Sequence, residues 1–289
     1  MQTMDQVMAK MELCRLDAKK RREAQERQAK KAATEPAARR QANQLPYWPE
    51  SCIGVPNMIL RSALFGVAGS GTKRKYLKGV VKASVTGVDI IYTGEELGQS
   101  DLDVWEHCVS LARAVGEVKK VYFEISGFMR GIDRSAGGKA NAEWLKTTLR
   151  RLQATAVEIK VNKKKTFSGS LLPSFSYDDE IGRYYVEVNE NILRLYAHGY
   201  TQIDRERRRT FRGDALAQWI HAYFCANNNV YGWSIIKIKQ LCGVADQNSS
   251  RFLSKLKKSL DLVCRVTGWS WRIERDILHI AKPKTISAQ

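Results

Sequence analysis

One succession of residue patterns, met twice, most constrains what this chain can fold into. In its first occurrence, QSDLDVWEHCVSLARAV is followed by VYFEI, a small helix near Ser126, and the longer GGKANAEWLKTTLRRLQATA. Strand-like VEIKV, the turn NKKK and GRYYVEVN close it. In the second, DALAQWIHAYFCA leads through YGWSIIKIKQLCG to QNSSRFLSKLKKSLDLVCRV and the hairpin WSWRIERDILHIA. Leu102, Trp105, Val109 and Ala112 recur at i, i+3, i+7 and i+10. Leu216, Trp219, Ile220, Tyr223 and Phe224 recur at i, i+3, i+4, i+7 and i+8, so both opening segments read as helices with one buried face. Helix, short helix, long basic helix and β-ribbon is the order of a winged helix-turn-helix. The expected fold class is therefore α+β, with two tandem winged helix-turn-helix domains behind a basic N-terminal tail. The expected divisions are a tail over 1–43, a first domain over 44–200 and a second over 201–289.

The two long helices carry the functional argument. At helical spacing, Phe252, Leu253, Leu256, Leu260 and Val263 gather on one side of the last one. Arg251, Ser254, Lys255 and Lys258 fall on the other. In the first long helix, Trp144, Leu145, Leu149 and Leu152 define the core side, and Lys139, Lys146, Thr147 and Arg150 face outward. One such face is ordinary for a solvated helix. Two in equivalent positions, in a chain of formal charge +18, point to a polyanion.

A helix-turn-helix lays its second helix in the DNA major groove and keeps the opposite face in the core. Base contacts are expected first from Arg251, Ser254 and Lys255. Lys163, Lys164 and Lys165, at the turn of the first ribbon, are expected to touch backbone phosphate, which positions a protein without reading sequence. So are Arg205, Arg207, Arg208 and Arg209 of RERRRTFR, since arginine suits bidentate phosphate contacts. The rival for that run is a salt-bridged helix locking the halves together.

Membrane is the weaker partner for this charge. No apolar run approaches the ~20 residues of a bilayer span, and no apolar core of an export signal opens the chain. The first 40 residues hold eleven Lys/Arg, six Asp/Glu and no aromatic residue, with no stripe on which to build a core. They read as disordered or loosely helical. Six scattered cysteines without a C-x-x-C pair fit free thiols in a reducing cytoplasm. His221 and Cys225 share one helix, but the apolar AYFCA around them reads as core rather than as half of a zinc site, which needs a closed set of four ligands.

Enzyme signatures are weak. GVAGSGTKRK has glycines at phosphate-loop spacing, Gly66 and Gly71, but Thr72 precedes Lys73, the reverse of G-x-x-x-x-G-K-[ST]. The reversal moves the lysine off the β- and γ-phosphates and the hydroxyl off Mg²⁺. The acidic clusters SDLD and YDDE lie at a helix start and in a turn, where carboxylates are ordinary. Neither an enzyme nor any cofactor or metal is expected.

Long phrases of the body, LPYWPESCIGVPNMILRSALFG, IIYTGEELGQSDLDVWEHCVSLAR, EWLKTTLRRLQATAVEI, GSLL and LAQWIHAYF, resemble the TrfA family of plasmid replication initiators. The resemblance runs from about Leu45 to Ala281 and leaves the tail uncovered. It implies a non-enzymatic initiator with tandem winged-helix domains. Such a protein binds directly repeated origin sites (iterons) in double-stranded DNA, helps open an adjacent AT-rich segment and contacts single strands. It also passes between dimer and monomer, and recruits the host replicative helicase and initiator. Of a sliding-clamp motif, Gln-Leu-x-Leu-Phe, only Gln44 and Leu45 remain, so clamp contact is not implied. A winged-helix repressor without melting activity would need the same DNA-reading surface. An ATP-dependent DNA enzyme would instead depend on Gly66 to Lys73.

Overall fold

The structure is a computed structural model describing residues 45–67, 73–115, 120–227, 232–244 and 249–283. The basic tail, Gln44 and the centre of the glycine-rich loop (68–72) lie outside the described residues. The first half opens with β1 (Cys52–Pro56), the single turn α1 (Asn57–Leu60), β2 (Phe65–Gly66), β3 (Tyr76–Lys82), β4 (Val88–Glu95) and β5 (Leu97–Gly98). It continues with α2 (Gln99–Val115), β6 (Lys120–Phe123), α3 (Ile125–Gly131), α4 (Lys139–Gln153), β7 (Ala156–Val161), β8 (Lys164–Gly169), β9 (Ser174–Asp178), β10 (Arg183–Glu187), α5 (Ile192–Ala197) and β11 (Tyr200–Asp204). A connector, α6 (Arg205–Thr210), leads to α7 (Ala215–Cys225), β12 (Trp233–Ser234), α8 (Ile235–Leu241), α9 (Ser249–Thr267), β13 (Ser270–Glu274) and β14 (Ile277–Ala281). The fold is of the α+β class.

Both halves use one plan. The sheets run β6–β10–β9 and β12–β14–β13, so in each the short first strand neighbours the last and the middle strand lies outside. Each short first strand precedes a short helix and then a long one. The halves differ by an insertion: between α4 and β9 the hairpin β7–β8 departs to join β3 and β4 in a separate sheet, β3–β4–β7–β8. Along β7, Val157 and Ile159 are buried while Glu158 and Lys160 are half-buried, the alternation of a strand with one core face. Its turn places Asn162 and Lys163 at φ 49° and 66°, the left-handed pair that a two-residue hairpin loop of matching twist requires. Lys163, Lys164 and Lys165 were expected on the ribbon equivalent to β13–β14. They sit in the other sheet, and the equivalent ribbon, β9–β10, turns instead through Asp178, Asp179 and Glu180.

Two hydrophobic cores result. The first gathers Trp105, Val109 and Ala112 of α2 and Leu145, Leu149 and Leu152 of α4 with Ile90, Tyr92, Val157, Ile159 and Phe167 of the four-stranded sheet. Trp144, expected on that core side, is half-buried, and the Arg134 guanidinium lies 3.9 Å from its ring centroid. The second core joins Trp219, Ile220 and Phe224 of α7 with Phe252, Leu256, Leu260 and Val263 of α9 and Leu278 of β14. The seam between them is shared: Ala222 of α7 and Ala226 just after it belong to the first core, and Val67 belongs to the second. The expected boundary at 200/201 falls at the first residue of β11, which pairs with β1.

Gly66 explains part of the glycine-rich loop. The Val67 N–H donates to the Cys242 carbonyl at 3.0 Å, and a Cβ on Gly66 would stand 3.2 Å from that same oxygen. This glycine lets the first half's backbone approach the second.

Asp214 fastens α9 to α7. One carboxylate oxygen caps α7 by accepting from the Leu216 and Ala217 N–H groups at 3.0 and 3.1 Å, and the other accepts from the buried Ser259 hydroxyl at 2.7 Å. Asp214→Ala removes the cap and orphans the hydroxyl, an expected loss of about 2–3 kcal/mol. Urea unfolding measures it, and Asp214→Asn should recover more than half.

Candidate nucleic-acid interface

α9 presents its cations on the side opposite the second core. Phe252, Leu256, Leu260 and Val263 are buried, whereas Arg251, Ser254, Lys255 and Lys258 are exposed. Lys257 and Arg265, outside the expected set of contacts, are exposed on the same helix. The beginning of the helix is tied to α8, where the Lys239 ammonium lies 5.8 Å from the Phe252 ring. At the tip of β13–β14, Arg275 is exposed and takes φ 49°. The signal for it was the short ERD turn between two alternating strands.

α4 is the counterpart in the first half. Lys139, at the first helical position, and Thr147 and Arg150 are exposed. Lys146 departs from that stripe: its ammonium is 3.0 Å from the Glu143 carboxylate and 5.4 Å from the Tyr184 ring. The hydrogen bond to Glu143, then that to Tyr184, raises its pKa. It is thus paired within its own half and turned toward β10. The outward cations of α4 are fewer than those of α9.

The lysine turn between β7 and β8 is exposed, with Lys165 3.5 Å from Glu158. It shares neither sheet nor ribbon with α4's neighbours β9 and β10.

The arginine-rich connector divides in two. The Asp204 carboxylate starts α6 by accepting from the Arg207 N–H at 2.8 Å. Arg207 and Arg209 then face outward, and Arg209 stands 3.8 Å from the Asp133 carboxylate. Arg205 and Arg208 turn inward, against the expectation that they hold phosphate. Arg205 donates to the Cys52 carbonyl and the Ser110 hydroxyl at 3.2 and 3.3 Å. Arg208 is 4% exposed, its Nε 2.5 Å from Asp103 Oδ1 and its Nη2 3.3 Å from the Gln99 carbonyl. Arg212 donates to the Ile132 carbonyl at 2.6 Å and to that of Asp133. These three arginines pin the connector to the first half, where all of those partners lie. Helical spacing was the available signal, since 205 and 208 share a face that 207 does not.

His221 and Cys225 lie on α7, the imidazole against Phe211 and Trp269, with ring nitrogen and sulfur 3.5 Å apart. Burial pushes the imidazole down to about 4 and the thiol up to about 11, so both are neutral at pH 7. No helix among the described residues is long and apolar enough to cross a membrane.

These features define an α+β protein with a basic helix on the surface of each of two like-built halves. The chain belongs to the TrfA family, which it matches over residues 16–272 under the description TrfA protein. The match starts inside the N-terminal tail, which the resemblance had left uncovered, and stops short of Ala281. Plasmid replication initiator protein TrfA of Escherichia coli is 26% identical over 244 residues, covering 80% of this chain. The chain spans 62% of the length of that relative. A crystal structure of domains 2 and 3 of RctB matches with a TM-score of 0.52 at 11% identity, over 78% of this chain and 98% of the other. At that identity the likeness shows the fold alone. A second structure of RctB domains 2–3 matches with a TM-score of 0.45 at 13% identity, over 74% and 93% of the two chains.

Proposed function

We propose that this chain is a non-enzymatic plasmid replication initiator that binds directly repeated sites in duplex DNA through two winged-helix domains. The observation that carries the proposal is the repetition itself. Two halves with the same helix order and sheet order each hold a long helix whose cationic face lies outward, in a chain of the TrfA family. In this reading α4 and α9 enter successive stretches of major groove. The outer arginines Arg207 and Arg209, and the tip of β13–β14, rest on phosphates.

Lys139, Thr147 and Arg150 supply the contacts of the first half. Arg251, Ser254, Lys255 and Lys258 supply those of the second, where base readout is concentrated. Several copies side by side on a repeat array strain the duplex, and the strain is relieved most cheaply in weakly stacked AT-rich steps. Opening of that segment and recruitment of the host helicase and initiator are part of the proposal, as are a dimeric storage form and action in the cytoplasm.

The test is a titration of the full chain against duplexes bearing direct repeats, a single palindrome or scrambled sequence. Direct repeats are expected to bind tightest. With about 6–10 phosphates neutralised, affinity should fall some 10³- to 10⁵-fold between about 50 and 200 mM salt. Preference for one palindrome, with no distortion of neighbouring AT-rich DNA, would turn the reading into that of a repressor.

A further inference from the structure

The seam between the halves holds a carboxyl group that its surroundings leave unsatisfied. Glu106, on α2, is 1% exposed, and among the described residues neither of its oxygens has a hydrogen-bond partner. Arg208, on α6, is paired through Nε with Asp103 and through Nη2 with Gln99, while its buried Nη1 has no partner among the described residues. Both side chains line one small cavity, about 40 Å³ in volume. Unpaired buried acceptors and donors are costly, and here residues carrying both kinds line the same space.

The spacing of the two acids gives the cost a use. Asp103 and Glu106 are three residues apart, so they share a face of α2 and are separated by about 4.5 Å along its axis. A single guanidinium on the connector therefore faces two carboxyl groups one helical step apart and is paired with one of them. We propose that Arg208 has two ion-pair registers, on Asp103 and on Glu106, and that a step between them re-angles the second half of the chain against the first. Packed elements shift between discrete arrangements, and sliding one element by a helical step past another is such a shift.

Charge settles which way the balance tips. In the present register burial holds the Glu106 carboxyl well above the usual carboxylate range, opposed by Arg208 and Arg205 and reinforced by Asp103. The other charged or titratable groups near it are Cys108 on its own helix, Tyr196 on α5, and Asp133, Arg209 and Arg212 across the cavity. In the second register Glu106 is the ionised partner of Arg208, so the step releases a proton and rising pH favours it. Asp103, with 18% of its side chain exposed, is then left to solvent. The hydrogen bonds of Arg205 to Cys52 and of Arg212 to Ile132 resist the step and make the present register the resting one at neutral pH.

Spin labels on a bio-orthogonal amino acid at exposed Ala140 of α4 and Arg265 of α9 read the distance between the halves by pulsed electron resonance. The full chain is used without DNA, so the result stands whatever the chain binds. One distance is expected to dominate near pH 6, with a second, displaced by roughly the ~4.5 Å step or more, growing toward about pH 9. Asp103→Asn should make the second distance dominant at neutral pH, and adding Glu106→Gln should abolish it. A distribution indifferent to pH, or an Asp103→Asn displacement that survives Glu106→Gln, overturns the proposal and leaves the cavity as the seat of a bridging water. If Asp103→Asn does not fold, the pH series on the unaltered residues decides alone.

Discussion

Replacing Arg251 and Lys255 together with alanine is expected to weaken binding to a repeat-bearing duplex by about 30- to 1,000-fold, or roughly 2–4 kcal/mol. The two residues stand four apart on the outer face of α9, one step from the buried Phe252 and Leu256. Truncating them leaves the second core untouched, so thermal unfolding should stay within a few degrees of the parent chain, as for other surface substitutions. Fluorescence anisotropy against specific and scrambled duplexes separates two roles. A loss confined to the specific duplex marks base contact. An equal loss on both, with a shallower salt dependence, marks phosphate contact and moves sequence reading elsewhere on α9 or onto α4. No loss on either duplex would remove α9 from the interface, and with it the proposed function.

The elements that position this surface were legible because they are amphipathic and long. α2, α4, α7 and α9 show their buried stripes as apolar residues at helical spacing, and a stripe facing a core has a cationic reverse that can be read without coordinates. What could not be read was partnership. β7 and β10 each look like strands, but alternation says only that one face is buried, and nothing in it says which sheet the strand joins. The lysine turn was assigned to the wrong ribbon for that reason. β3 carries no readable strand signal. It is an edge strand whose residues are mostly exposed, Val81 at 69%, so it shows no alternation to find.

The connector failed differently. Composition made all four of its arginines look alike, although helical spacing already separated 205 and 208 from 207. Glu106 was also visible in principle, since it follows Leu102 by four residues and so falls on the face that α2 buries. Charge seen as a total hides the few charges that fold inward, and those are the ones that fix the connector against the first half.

The largest stability effect is expected from another inward charge, Asp101. Its carboxylate is fully buried in the first turn of α2, with one oxygen accepting from Arg151 Nη1 at 2.6 Å. The other accepts from Arg74 Nη1 at 2.7 Å and from the Gly98 N–H at 2.6 Å. Arg151 closes the last turn of α4 and also reaches Glu95 of β4 at 2.9 Å. A single carboxylate thus joins the start of α2, the end of α4 and the edge of the four-stranded sheet.

Asp101→Ala leaves Arg151, 12% exposed, with the half-solvated Glu95 as its remaining ion-pair partner among the described residues, and removes the acceptor of the Gly98 N–H. Breaking a buried pair from one side costs about 3–5 kcal/mol, more than the pair itself contributes, because the remaining charge stays desolvated. Urea unfolding should show that loss, and hydrogen exchange should quicken across Arg150–Gln153 before it does in α9. Arg151→Ala in the Asp101→Ala background should then cost little more, since the guanidinium that made the first change expensive is gone. If Asp101→Ala alone costs less than about 1 kcal/mol, the range of a solvated surface pair, α4 is held by Leu145, Leu149 and Leu152 and the carboxylate is incidental to it.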